Sequence, residues 1–157
     1  MSEHTIKQSL AEAPVFSGLS DEYLDRLAGQ ASEMTVDEGT CLFRGGDPAA
    51  HFYLLLDGEI SIEIPAVSGP VLQVQKLSPV RVLGWSWLIR PYKWSFNARA
   101  VSECRVLEFD GKAVLADCDA DPAFGYEVVK RFSGLMAERL DAAHRKMMDQ
   151  WSPSGFA

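Results

Sequence analysis

Apolar residues follow two rhythms along this chain, and the places where the rhythm changes mark its architecture. Ile6 and Leu10 lie four apart and precede Pro14, which predicts a short helix over Thr5 to Glu12. Ser20 offers an N-cap, Asp21 and Glu22 load the next turn with negative charge, and Leu24, Leu27 and Ala28 form one apolar face. Gly29 predicts where that second helix stops. From about Ser32 the pattern shortens. Thr40 to Phe43 is followed by the turn residues Gly45, Gly46, Asp47 and Pro48. An apolar run, Phe52 to Leu56, precedes Asp57-Gly58, after which Ile60, Ile62 and Ile64 alternate with Glu59, Ser61 and Glu63. The Asp-Gly pair predicts a β-hairpin, and the alternation predicts a second strand with one wet face. Val71 to Leu77, Val82-Leu83, Ala98 to Val101 and Arg105 to Phe109 read as further short strands, so the middle of the chain is an all-β barrel or sandwich.

After Asp110 the helical spacing returns. Lys112 to Cys118 is a short helix, and Asp121-Pro122 is an N-cap followed by proline at the first helical position. Beyond it Val128, Phe132, Met136, Leu140, Ala143, Met147 and Trp151 recur at steps of three or four, one apolar stripe over many turns. Ser152, Pro153, Ser154 and Gly155 end it. The expected layout is a single domain: helices over 1–31, a β-region over 32–110, and helices over 111–151.

Length and charge narrow the function. At 157 residues, 47% hydrophobic and 24% charged, the chain has the balance of one globular domain that needs neither disulfides nor metal to fold. Its net charge of −7 and pI of about 4.9 argue against nucleic-acid binding, which rewards a basic face. Cys41, Cys104 and Cys118 match no metal spacing and sit beside apolar residues, so buried free thiols are expected. No signal region and no membrane-length apolar run occurs, which makes the cytoplasm the default location. No nucleophile–base pair, metal cluster or phosphate-loop motif suggests catalysis, so neither catalytic nor metal-binding residues are assigned.

Several motifs occur in a telling order. Pro14-Val15-Phe16 with Leu19, then Phe43-Arg44-Gly45-Gly46-Asp47, then Phe52 to Leu56 with Asp57-Gly58, then Val82-Leu83-Gly84, then Ala98-Arg99-Ala100, and finally Phe109-Asp110 together resemble the cyclic nucleotide-binding domain family of catabolite-activator-like regulators. The resemblance covers roughly Pro14 to Asp110. It implies a mainly β fold with flanking helices: a β-roll, jelly-roll-like, closed by a long C-terminal helix. In that family a short helix after the glycine at Gly84 cradles the cyclic phosphate on its backbone N–H groups. A glutamate directly after the glycine would bind the ribose, and an arginine further on would pair with the phosphate. Here Trp85 stands at the glutamate position and Trp94 at the arginine position; Ser95 survives as a polar match. Losing the guanidinium partner of a half-buried phosphate costs on the order of 3–5 kcal/mol, so tight cyclic nucleotide binding is not expected.

The stretch from Gly84 to Phe96 instead holds three of the four tryptophans. Its candidate pocket residues are Gly84, Trp85, Ser86, Trp87, Leu88, Arg90, Trp94, Ser95 and Phe96. Two readings stand side by side: the rings fill the pocket and become core, or they wall a reshaped pocket for a flat or apolar ligand, with Arg90 and Lys93 as nearby cations. No cofactor is assigned. Haem would need axial ligands from His4, His51, His144, the cysteines or the methionines, none suggestively paired, and a single histidine in the β-region excludes a metal-binding cupin.

The long stripe is more than one small roll can cover, so a homodimer through the C-terminal helix is expected, with Phe132, Met136, Leu140, Ala143 and Met147 as the seam. Leu140→Glu should break it, whereas Glu138, charged and off the stripe, should tolerate lysine. The family's helix-turn-helix domain would follow this helix; the sequence ends at Ala157, so none is expected. Two functions remain: a regulatory or sensor module acting through protein contacts, with a small-molecule ligand possible, and a ligand-free structural or interaction subunit.

Overall fold

The computed structural model describes residues 2–65 and 70–150. Helix α1 (Glu3–Glu12) begins earlier than its apolar spacing suggests, because Ser2 caps it by accepting from the Thr5 N–H at 3.2 Å. A 3-10 turn over Pro14–Phe16 follows, then α2 (Asp21–Ala28). As expected, the Ser20 hydroxyl accepts from the Tyr23 N–H, and α2 ends at Gly29.

Eight strands come next among the described residues: β1 (Ala31–Val36), β2 (Cys41–Phe43), β3 (His51–Asp57), β4 (Ile60–Ile64), β5 (Leu72–Leu77), β6 (Arg81–Leu83), β7 (Asn97–Ala100) and β8 (Cys104–Asp110). They form two antiparallel four-stranded sheets, ordered β1-β8-β3-β6 and β2-β7-β4-β5. One core lies between the sheets, where Tyr53, Leu55 and Val106 meet Ile60, Ile62, Leu77 and Ala98. A second core lies on the outer face of the first sheet, where Phe52, Leu54, Leu107 and Phe109 meet the helices. Stacked and edge-on rings fill its centre: Phe52 lies 4.5 Å from Phe109, 5.0 Å from Trp87 and 5.1 Å from Phe132, centroid to centroid. This is the mainly β roll with flanking helices.

The expected hairpin at Asp57-Gly58 does not form. The chain does turn there, with Gly58 at φ 93° and packed so closely that a Cβ would lie 2.5 Å from the Glu103 carbonyl oxygen. The turn carries the chain from one sheet to the other, since β3 pairs with β6 and β8 while β4 pairs with β5 and β7. The reason is burial. Phe52 to Leu55 is buried throughout, so β3 must be covered on both faces and lies between the two cores.

The wet face expected on β4 is dry. Ser61 is 0% and Glu63 3% exposed. Arg99 on β7 satisfies the Glu63 carboxylate, donating from Nε at 3.2 Å and Nη2 at 2.9 Å, while the Ser61 hydroxyl donates at 3.0 Å. An alternating pattern reports polarity, and a polar residue paired on its own sheet needs no water.

Helix α3 (Gly111–Ala120) is capped by Asp110. Helix α4 (Pro122–Gln150) starts at the predicted signal, with the Asp121 carboxylate accepting from the Phe124 N–H at 3.4 Å. Trp151 and the expected stop at Ser152 to Gly155 lie outside the described residues. The dimer stripe splits. At about 100° per residue, Val128, Phe132, Leu135, Arg139 and Ala143 share the face against the roll and are buried. Phe132, 0% exposed and ringed by Phe16, Phe52 and Trp87, cannot serve as an outward seam, nor can Ala143. Leu140 and Met147 remain exposed at 70% and 48%, with Met136 half-buried between the two faces. No helix among the described residues is long and apolar enough to cross a membrane.

Candidate functional site

The segment between β6 and β7 runs across the mouth of the inter-sheet core, and its backbone is clasped from outside. The Trp94 N–H donates to the Asp47 carbonyl, the Gly46 N–H to the Trp94 carbonyl, and the Ala49 N–H to the Tyr92 carbonyl, at 2.8–3.0 Å. This clasp, between the glycine-rich turn and residues 92–94, fixes where Trp94 points.

It points inward. Trp94 is 7% exposed and stacks on Phe43 with ring centroids 3.7 Å apart and planes 10° from parallel. Tyr53 lies beside the stacked pair, 6.1 Å from Phe43 and 6.5 Å from Trp94. Burial first, and Glu108 second, push the Tyr53 phenol above its ordinary value, so it stays neutral. Gly84 is required twice over: its φ is 97°, and a Cβ there would lie 2.8 Å from the Trp94 ring.

What remains beside Trp94 is a void of about 20 Å³, room for one water. Gly84, Trp85, Ser86, Trp94, Ser95 and Phe96 all line it. The other three candidates do not. Trp87 and Leu88 turn into the helix-side core, and Arg90 is exposed at the outer surface.

The short helix implied after Gly84 is absent; residues 84–92 form turns, closed by Leu88 N–H to the Trp85 carbonyl and Tyr92 N–H to the Ile89 carbonyl. Two local causes act. The Trp87 indole N–H donates to the Gly84 carbonyl at 3.0 Å, and Pro91 disfavours helical backbone at Arg90. The aligned N–H groups of a helical phosphate cradle are therefore not assembled.

One residue that sequence reasoning missed also lines the void: Arg139, reaching in from α4. It is 3% exposed, donating from Nη2 to the Val82 carbonyl at 3.1 Å and from Nη1 to the Gln75 side chain at 3.0 Å. Glu138 accepts from Arg139, from Gln75 and, in a very close contact, from Arg81. Burial pulls the Arg139 guanidinium below its usual value; Glu138 opposes this and Arg81 reinforces it. Glu138 is thus no solvent-facing bystander but the anion shared by two guanidiniums. The signal was available, since a cation seven residues after Phe132 and four before Ala143 interrupts the apolar face.

The comparisons with known proteins agree with this architecture. The model of the cyclic nucleotide-binding domain matches residues 33–121, more than half of the chain. The chain belongs to the cyclic nucleotide-binding domain family. A Geobacter metallireducens protein named as cyclic nucleotide-binding superposes with a TM-score of 0.75 at 24% identity, over 89% of this chain and 98% of that one. The catabolite activator protein of Thermus thermophilus gives 0.70 at 24% identity, over 89% and 63%. A Rhodopseudomonas palustris protein named as a potassium channel is 23% identical over 133 residues, 84% of this chain and 32% of that protein. The chain spans less than a third of that relative's length. As a cyclic nucleotide-binding domain it has the two-sheet roll, with the inward Trp94 packed against Gly84 between β6 and β7.

Proposed function

We propose that this cyclic nucleotide-binding domain is a non-enzymatic regulatory module that works through protein contacts, with Trp94 occupying its own nucleotide pocket. The packing of Trp94 between Gly84 and Phe43 carries this reading, because the void left beside it is far smaller than the roughly 300 Å³ of an ordinary ligand pocket. Trp85 and Trp94 at the glutamate and arginine positions support it independently, as the two positions that would hold ribose and phosphate carry indoles. The contacts include a second copy of the chain. The outer flank of α4 leaves Val129 at 45%, Leu140 at 70% and Met147 at 48% exposed, spaced as a helix–helix seam. Neither of the two functions raised from sequence needs a bound nucleotide, and the packing of Trp94 suits both. Calorimetry with cyclic AMP and cyclic GMP tests it. The expected outcome is no measurable heat at micromolar nucleotide; a micromolar or tighter Kd would overturn the reading.

A further inference from the structure

The loop that fills the nucleotide pocket on its inner side builds a second concavity on its outer side. This groove lies between residues 48–50, the loop at 87–93 and the start of α3, and encloses about 480 Å³, within the range of small-molecule sites. Its floor is Trp87, and its walls are apolar: Ala49, Pro91 and Leu115. Tyr92, on a left-handed backbone at φ 57°, completes the rim. Its only charged lining residues are Lys93 and Lys112, both exposed and neither in an ion pair among the described residues. Two other grooves mix signs, with Arg90 and Asp119 in one and Glu127, Lys130, Arg131 and Glu138 in another. An apolar trough edged by cations alone, in a chain of net charge −7, selects by charge as well as by shape.

We infer that this groove is a binding site for a small amphipathic anion: one carboxylate on an aromatic or alkyl body, the body over Trp87 and Leu115 and the carboxylate between Lys93 and Lys112. An occupant would touch both the loop that positions Trp94 and the helix that leads into α4, whose Gly111 packs directly against Trp87. The site would couple a metabolite to the helical face without using the nucleotide pocket, and it stands whether or not that pocket binds nucleotide.

The test uses naphthalene-2-carboxylate as the probe, the uncharged 2-naphthylmethanol as its control, and amide NMR shifts of the full chain as the readout. The carboxylate is expected to move the amides of Ala49, Ala50, Lys93 and Lys112 and to leave those of Ile62 and Ala98, across the inter-sheet core, in place. Affinity should fall by about fivefold in the Lys93→Glu/Lys112→Glu variant, the scale of two exposed charge contacts, and should fall again as salt is raised. Both lysines are exposed, so the variant should keep the wild-type circular dichroism. Three results would overturn the inference: unmoved groove amides at millimolar carboxylate, equal binding by the variant, or equal binding of the alcohol. An acidic aromatic peptide that moves these amides where the free acid does not would also overturn it, and would assign the groove to a protein partner.

Discussion

Replacing Glu138 probes how the long helix is held to the roll. Its Oε1 accepts from Arg81, from Arg139 at 3.2 Å and from Gln75 at 3.1 Å, and Arg139 is 3% exposed. Without the carboxylate, two guanidiniums face one another with no counter-charge. Removing one partner of a fully buried pair costs about 3–5 kcal/mol, and a hydrogen bond to a charged group is worth about 1.5–3 kcal/mol. The Glu138 side chain is 39% exposed, so water screens part of this. Glu138→Gln keeps an acceptor and should cost about 1–2 kcal/mol, whereas Glu138→Lys adds a third cation and should cost about 3 kcal/mol. At this chain length each kcal/mol lowers Tm by about 2–4 °C, so Glu138→Lys should melt about 6–12 °C early by circular dichroism. Arg139→Met removes the buried charge instead of stranding it and should be nearly neutral. A Glu138→Lys protein melting within about 1 °C of wild type, where 1 kcal/mol already moves Tm by more, would refute the argument. So would an Arg139→Met variant as damaged as Glu138→Lys, since charge would then not be the cause.

Further outcomes follow from the same physics. Leu140→Glu places a carboxylate on the exposed flank of α4 and should convert a dimer to a folded monomer in light scattering; a monomeric wild type or a dimeric variant would remove the seam. The Arg26 guanidinium, 2.8 Å from Asp121, holds that carboxyl below its usual value. A depressed folded value means the stabilisation is present above the unfolded pKa of about 4 and lost as pH falls through the folded value. The stability gap between wild type and Asp121→Asn should therefore be flat near neutrality and close in acid; a gap that widens in acid would contradict it. Burial, then Asp119 and Asp117, push the Cys118 thiol up to about 11. Iodoacetamide at mildly alkaline pH should modify half-buried Cys41 well before Cys118 in the folded protein, as peptide mapping would show; equal rates would contradict that burial.

What could be read from the sequence was what local chemistry decides. The cap at Ser20, the stop at Gly29 and the Asp121-Pro122 start are each settled within one turn of backbone, and each appears where the residues place it. The order of the strands was harder. Phe52 to Leu55 is apolar at every position, which says that β3 is covered on both faces but not by what, and the Asp57-Gly58 turn looks the same whether the chain doubles back or changes sheet. Ser61 and Glu63 alternate with isoleucine as solvent-facing residues do, yet the arginine that keeps Glu63 dry lies 36 positions away. The site followed the same division. The tryptophans at 85 and 94 were visible as substitutions, but that Trp94 turns inward depends on the backbone clasp with residues 46–49, and that Arg139 reaches the void depends on how α4 lies on β5 and β6.

A pocket filled by a side chain differs from one filled by a metabolite in what it responds to. A diffusible ligand stabilises its bound state by an amount that grows with the logarithm of its concentration. Trp94 is joined to the chain through its own backbone, so its occupancy has no concentration dependence and no dissociated partner to exchange with. On the proposed function the roll around it is permanently in the occupied condition: dilution does not empty it, and added nucleotide meets a seat already taken. To vacate that seat the indole must swing out, the loop must move or the domain must unfold.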